Sequence, residues 1–121
     1  MGKFVVRQVA SGIKFDLKAT NGQVIATSEV YESKEACLNG VESVRKNAVT
    51  TNVEDQTAGA EVLTNPKFEV YEDKGGEFRF RLKARNGQIV AVSEGYTTHR
   101  ACMDGVESVR KNAPEAPVEE A

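Results

Sequence analysis

Four basic residues stand at alternate positions of one short run, FRFRLKAR: Arg79, Arg81, Lys83 and Arg85. In an extended strand, residues two apart share a face and lie about 6.6 Å from each other. That separation is comparable with the spacing of phosphates along one strand of nucleic acid. Tyr71, with the same outward sense on the preceding strand, offers a stacking surface, and Lys18 holds in the first half the place of Lys83 in the second. A basic row beside an aromatic ring is what a single-stranded nucleic acid or another polyanion would use. The competing account is a solvated sheet face whose arginines pair with Glu69, Glu77 or the acidic tail PEAPVEEA, as cross-strand charges commonly do. The corresponding strand of the first half is less basic: Lys14 and Lys18 are interrupted by Asp16 and followed by Thr20, and Arg7 stands where the second half has Tyr71.

Catalytic chemistry has less to work with. His99 is the single histidine and occupies the place of Lys34 in the other half, the first turn of a helix, so it reads as a surface residue. The chain has no Gly-x-Ser-x-Gly, no His-Glu-x-x-His and no glycine-rich phosphate loop before a helix. Ser28-Glu29-Tyr31 and Ser93-Glu94-Tyr96 form a polar cluster present in both halves. It is either a pair of small polar sites or a serine bonding nearby backbone, a tyrosine under the helix and a solvated glutamate. One glutamate per half supplies no carboxylate pair for acid–base work. Cys37 and Cys102, at equivalent places and without a Cys-x-x-Cys, read as apolar fillers of a helix face. The expectation is therefore no catalytic residue, no metal site and no cofactor.

These residues are placed by a duplication. Leu17–Ala48 and Leu82–Ala113 are identical at 21 of 32 positions, at an offset of 65, and both contain GVESVRKNA. In the second half Phe68 and Val70 alternate with Glu69 and Tyr71, Gly75-Gly76 makes a turn, and Phe78, Phe80, Leu82 and Ala84 alternate with the basic row. Asn86-Gly87 predicts a hairpin with positive φ at both positions, returning Ile89, Ala91 and Ser93 along the inner face. The first half repeats this with Ile13, Phe15, Leu17 and Ala19, Asn21-Gly22, then Val24, Ala26 and Ser28. Helices follow, with Ser33 and Thr98 as N-caps and an apolar stripe of Cys37, Val41, Val44 and Ala48. Glu42 and Lys46 are spaced for an exposed pair, and Asn47 and Asn112 for a left-handed stop. Gly40 and Gly105, in mid-helix, predict close approach of a neighbouring backbone, the sheet or the twin helix. The nine shared residues suit a twofold-related contact.

The fold class is α+β. Each half is too small to bury a reliable core alone, so the chain reads as a single pseudo-twofold domain over 1–121, with one half at 1–56, a connector at 57–67 and the other half at 68–121. Joining the two in one sheet, with both helices on one face, removes an exposed strand edge.

LKATNGQVIATSEVY with LKARNGQIVAVSEGY, and the two GVESVRKNA helix ends, resemble the YegP-like family of small proteins of unknown function. The resemblance implies two β-β-β-α-β units in one antiparallel sheet, their C-terminal strands, Val49–Glu54 and Ala116–Glu119, exchanged between halves. It brings no activity.

Net charge is −2, which selects no class of partner. No apolar run approaches the 18 or so residues of a membrane span, and no signal peptide is visible. The expected protein is cytoplasmic, non-enzymatic and monomeric, an interaction module meeting an unidentified protein. The alternative is a weak binder of single-stranded nucleic acid through Arg79, Arg81, Lys83, Arg85, Tyr71 and Lys18.

Overall fold

Alternating apolar residues build the sheet, and the computed structural model describes it over residues 2–59 and 61–121. Met1 of the Met-Gly start and Ala60 of the connector lie outside the described residues. The elements are β1 (Lys3–Val9), β2 (Gly12–Lys18), β3 (Val24–Thr27), α1 (Lys34–Asn47), β4 (Val53–Asp55), a short 3-10 turn (Gln56–Ala58), β5 (Lys67–Glu72), β6 (Phe78–Lys83), β7 (Ile89–Val92), α2 (His99–Asn112) and β8 (Val118–Glu120). They form one eight-stranded sheet, ordered β4-β5-β6-β7-β3-β2-β1-β8. The sheet is mixed, not antiparallel throughout: β4 lies parallel to β5, and β8 parallel to β1. Each of these edge strands thus runs antiparallel to the strand before its helix, β4 to β3 and β8 to β7. At the centre the two halves meet through β3 and β7, with Thr27 opposite Val92.

One core lies between the sheet and the helices. Phe4, Val6, Phe15 and Leu17 join Phe68, Val70, Phe80 and Leu82 from the sheet, and Val41, Val44, Val106 and Val109 close it from α1 and α2. Each helix crosses the midline, α1 touching β2, β6 and β7, and α2 touching β3, β5 and β6. The apolar residues of both halves are thus buried together.

Several local expectations need correcting. The mid-helix glycines make room for side chains, not for backbone. A Cβ on Gly40 would sit 2.3 Å from the Tyr31 hydroxyl, and one on Gly105 2.6 Å from that of Tyr96. Both tyrosines lie stacked on a core phenylalanine, Tyr31 on Phe15 and Tyr96 on Phe80, with ring centroids 6.3 Å apart. In the hairpins only the glycine has positive φ: Gly22 and Gly87 close a turn on Ala19 and Ala84, so the loop is a type I turn followed by a glycine bulge. A bulge on β7 sets Ile89 opposite Lys83 and leaves it exposed, while Ala91 faces Leu82 as expected. The helices stop without a left-handed residue; Asn47 and Asn112 bond back to Ser43 and Ser108. The caps Ser33 and Thr98 accept from Ala36 and Ala101 amides at 3.1 Å.

The nine shared residues do matching work. Glu42 pairs with Arg45, not Lys46, and Glu107 with Arg110. Arg45 lies over the Phe4 ring and Arg110 over Phe68, each 5.6 Å from the centroid. Each arginine then reaches a carbonyl just before a sheet-edge strand, Arg45 that of Ala116 and Arg110 that of Thr50. The shared residues thus tie the chain before each edge strand to a helix.

Candidate functional site

Strand alternation gives the sheet's other face most of its charged residues, and one register row crosses all eight strands: Glu54, Glu69, Arg81, Val92, Thr27, Asp16, Val5 and Glu119. The part of the basic stripe carried by β6, Arg79, Arg81 and Lys83, lies on this face and is engaged. Arg79 Nε donates to Asp73 Oδ2 at 2.7 Å. Arg81 Nε donates to Glu69 Oε1 at 2.6 Å, and Lys83 Nζ is 3.4 Å from Glu69 Oε2. The Tyr71 ring carries the Arg81 guanidinium 4.7 Å from its centroid, so one face of the stacking surface is taken. Arg85 lies beyond β6 and is exposed; it lines a cleft of about 540 Å³ with Lys46, Asn47, Val49, Thr50 and Pro66. Lys18 stands opposite Lys3, and Lys14 opposite Arg7. Neither Lys14 nor Lys18 has an acidic partner among the described residues. The acidic tail lies at the far edge from β6, where Glu119 pairs with Lys3 and Glu120 with Lys34.

Around β4 and β5 the same face is buried. Lys67 Nζ lies 2.6 Å from Glu54 Oε1 and 3.3 Å from Glu69 Oε2, and all three side chains are at most 6% exposed. Gln56 Nε2, at the end of the first half, and the Leu63 amide, from the connector, donate to the two Glu54 oxygens. Hydrogen bonds from Lys67, then Gln56 and Leu63, lower the Glu54 carboxyl to about 2. Burial pushes the Glu69 carboxyl up, but hydrogen bonds from Arg81 and Lys67 outweigh it and hold it low. The first half has a smaller counterpart, in which buried Asp16 accepts from Arg7 Nε at 2.7 Å and from Thr27 Oγ1 at 2.8 Å. Of this network, sequence reasoning found Glu69 and the stripe but missed Glu54, Lys67 and Asp73. A charged residue in a strand gives no sign that a distant connector will cover it.

The polar clusters serve the fold. Ser28 Oγ accepts from the Phe15 amide at 2.9 Å and donates to the Glu29 carbonyl at 2.7 Å. Ser93 repeats this with Phe80 and Glu94. Each serine closes the point where the strand breaks before the tyrosine rejoins the sheet opposite Ile13 or Phe78. His99 Nε2 is 2.6 Å from Asp55 Oδ2, tying α2 to β4. Thr57 also donates to Asp55, so the carboxylate stands between histidine and hydroxyl, the wrong order for a base that activates a nucleophile. Burial, with Asp55 nearby, pushes the Cys102 thiol up to about 11, and burial raises Cys37; both are poor nucleophiles in that state. No group of three or more His, Cys, Asp or Glu suited to a metal ion occurs among the described residues. No described helix is long and apolar enough to cross a membrane.

Known proteins share this architecture. A UPF0339 protein of Pseudomonas aeruginosa is 41% identical over 115 residues, 94% of this chain and 92% of that protein. One from Methanosarcina acetivorans is 60% identical over 52 residues, which are 43% of this chain but 90% of that protein. The solution structure of yegP from E. coli, a protein of unknown function, superposes with a TM-score of 0.78 at 32% identity, covering 98% of this chain and 91% of the other. The model of a domain of unknown function, DUF1508, matches residues 10–55 and 73–120. The chain belongs to this DUF1508, or UPF0339, family, which includes YegP.

Proposed function

We propose that the chain is a non-enzymatic, cytoplasmic interaction module: two tandem β-β-β-α-β units joined as a monomeric pseudo-dimer, with their C-terminal strands exchanged. The 21 identities in 32 positions support the duplication. The pairing of β4 with β5 and of β8 with β1 supports the exchange. The Methanosarcina relative, whose 52 matched residues are nearly its whole length, supports a half-sized unit. One observation carries the functional part. Most groups able to do chemistry are absorbed in packing, caps and ion pairs, whereas Lys14 and Lys18 on the sheet face of the first half, the edge beside it, and Arg85 stay open among the described residues.

The test is site-specific photo-crosslinking in cells. A benzophenone side chain at Lys14 or Thr27, on the sheet face, should give discrete protein adducts, and one at Asn39, exposed on α1, should not. Adducts from Asn39 alone, or from no position, would refute the reading. A weak polyanion binder is the second reading, favoured by the unpaired Lys14 and Lys18. Fluorescence anisotropy of mixed-sequence single-stranded RNA would select it if binding fell steeply with salt and vanished in Lys14→Glu/Lys18→Glu.

A further inference from the structure

We propose that the outer edge of β1 is a strand-acceptor site that takes an extended acidic peptide, parallel to β1, in the place held by β8. The proposal rests on the reading of the chain as an interaction module and names the partner's chemistry.

All three residues of β8 are exposed. Its fastenings are the Lys3–Glu119 and Lys34–Glu120 pairs, all four side chains at least 42% exposed, the parallel ladder itself and, just before it, the Arg45 bond to Ala116 O. In that ladder the Phe4 amide donates to Pro117 O at 2.8 Å, and the Ala121 amide to Val6 O at 2.9 Å. Phe4 and Val6 thus turn their main-chain groups toward this edge, and the alternation of a strand gives Gln8 the same orientation. β1 runs on to Val9, whereas its pairing with β8 ends at Val6. Beyond Glu120 and Ala121 lies a cleft of about 210 Å³ lined by Val6, Arg7, Gln8, Ile13 and Lys34.

A longer strand in this place would keep every bond that β8 makes, add a ladder pair at Gln8, and set a carboxylate beside Arg7. Lys3, Lys34, Arg7 and Arg45 line this edge, so with β8 displaced its charge is positive. The occupant it fits is a segment with an apolar first residue and three successive acidic ones, bound by strand addition. The opposite edge, at β4, is closed to such exchange by the buried Glu54–Lys67 pair.

The probe is a fluorescein-labelled peptide, PVEEEVE, with PVKKKVK as control, titrated by anisotropy into the full chain and two variants. Glu119→Lys/Glu120→Lys repels β8 from its place, leaving the acceptor intact. Lys3→Glu/Lys34→Glu repels β8 equally but cancels the acceptor's positive charge. The first variant should bind PVEEEVE at least about tenfold more tightly than the unmodified chain, and the second should lose binding. Structural damage alone would move both variants in the same direction. Chemical-shift changes should fall on Phe4–Val9. Equal affinity for all three proteins, or no binding to the tail-reversed variant at about 1 mM peptide, would overturn the proposal. If sheet-face crosslinks persist while peptide binding fails, the acceptor edge falls and the interaction module stands; if both fail, so does the module.

Discussion

At one end of the sheet the Phe68 amide donates to Asn52 O at 2.9 Å; at the other the Phe4 amide donates to Pro117 O at 2.8 Å. Lys67 and Lys3 stand one residue before these phenylalanines, each paired with a glutamate of the neighbouring edge strand. The plan is the same and the surroundings are not. Lys67 and Glu54 are 6% and 5% exposed, Lys3 and Glu119 42% and 58%. The difference comes from the connector, which joins the halves once and so passes only one end. There it contributes the Leu63 amide to Glu54, which Gln56 just before it also reaches, and Pro66 O accepts from Thr50 Oγ1 at 2.9 Å. The connector thus covers the fastening of one edge and leaves that of the other exposed.

The comparison is broken most forcefully at the lysines. Lys67→Met strands Glu54 in a buried site, and removing one partner of a buried pair costs about 3–5 kcal/mol. That is a large share of a small domain's stability of roughly 5–15 kcal/mol. Lys3→Met removes an exposed pair and should cost less than about 1 kcal/mol. Urea denaturation of the two variants measures the ratio, and equal losses would remove the distinction between the ends.

Acid sharpens it next. Glu54 titrates at about 2 in the fold against an ordinary 4.5. A lowered carboxyl contributes stability that is present above its unfolded pKa and is lost as pH falls toward the folded one. The unmodified chain should therefore lose roughly 2–3 kcal/mol through this group between about pH 5 and pH 2. Glu54→Gln should start less stable and show a shallower acid slope. A slope unchanged by the substitution would mean that another group carries the acid response.

Most of the frame was legible in the sequence because apolar alternation and helical stripes are local. Phe15, Leu17, Phe80 and Leu82 face the core as their spacing requires, and Ser33 and Thr98 cap as their hydroxyls allow. The parallel sense of β4 and β8 was not legible, since each is three residues long and its partner lies in the other half. Nor was the reason for Gly40, because Tyr31 reaches it from a neighbouring loop. The candidate site fared in the same way. Its outward basic residues could be read from period two, whereas the acids that occupy them could not. Asp73 comes from a turn, and Glu69 is shared by Lys67, Arg81 and Lys83. Which cations stay free depends on such sharing: among the described residues it leaves Lys14 and Lys18 in the first half and, of the denser stripe of the second half, Arg85.

Native-state amide hydrogen exchange compares the two edges within one molecule. The Phe68 amide should exchange only through openings close in free energy to global unfolding, as core strands do. The Phe4 amide, in the equivalent bond to Pro117 O, should exchange at least about 100-fold faster, together with that of Ala121, through detachment of β8 alone. Equal protection of Phe4 and Phe68 would contradict a releasable edge, because β8 would then leave only when the whole fold does.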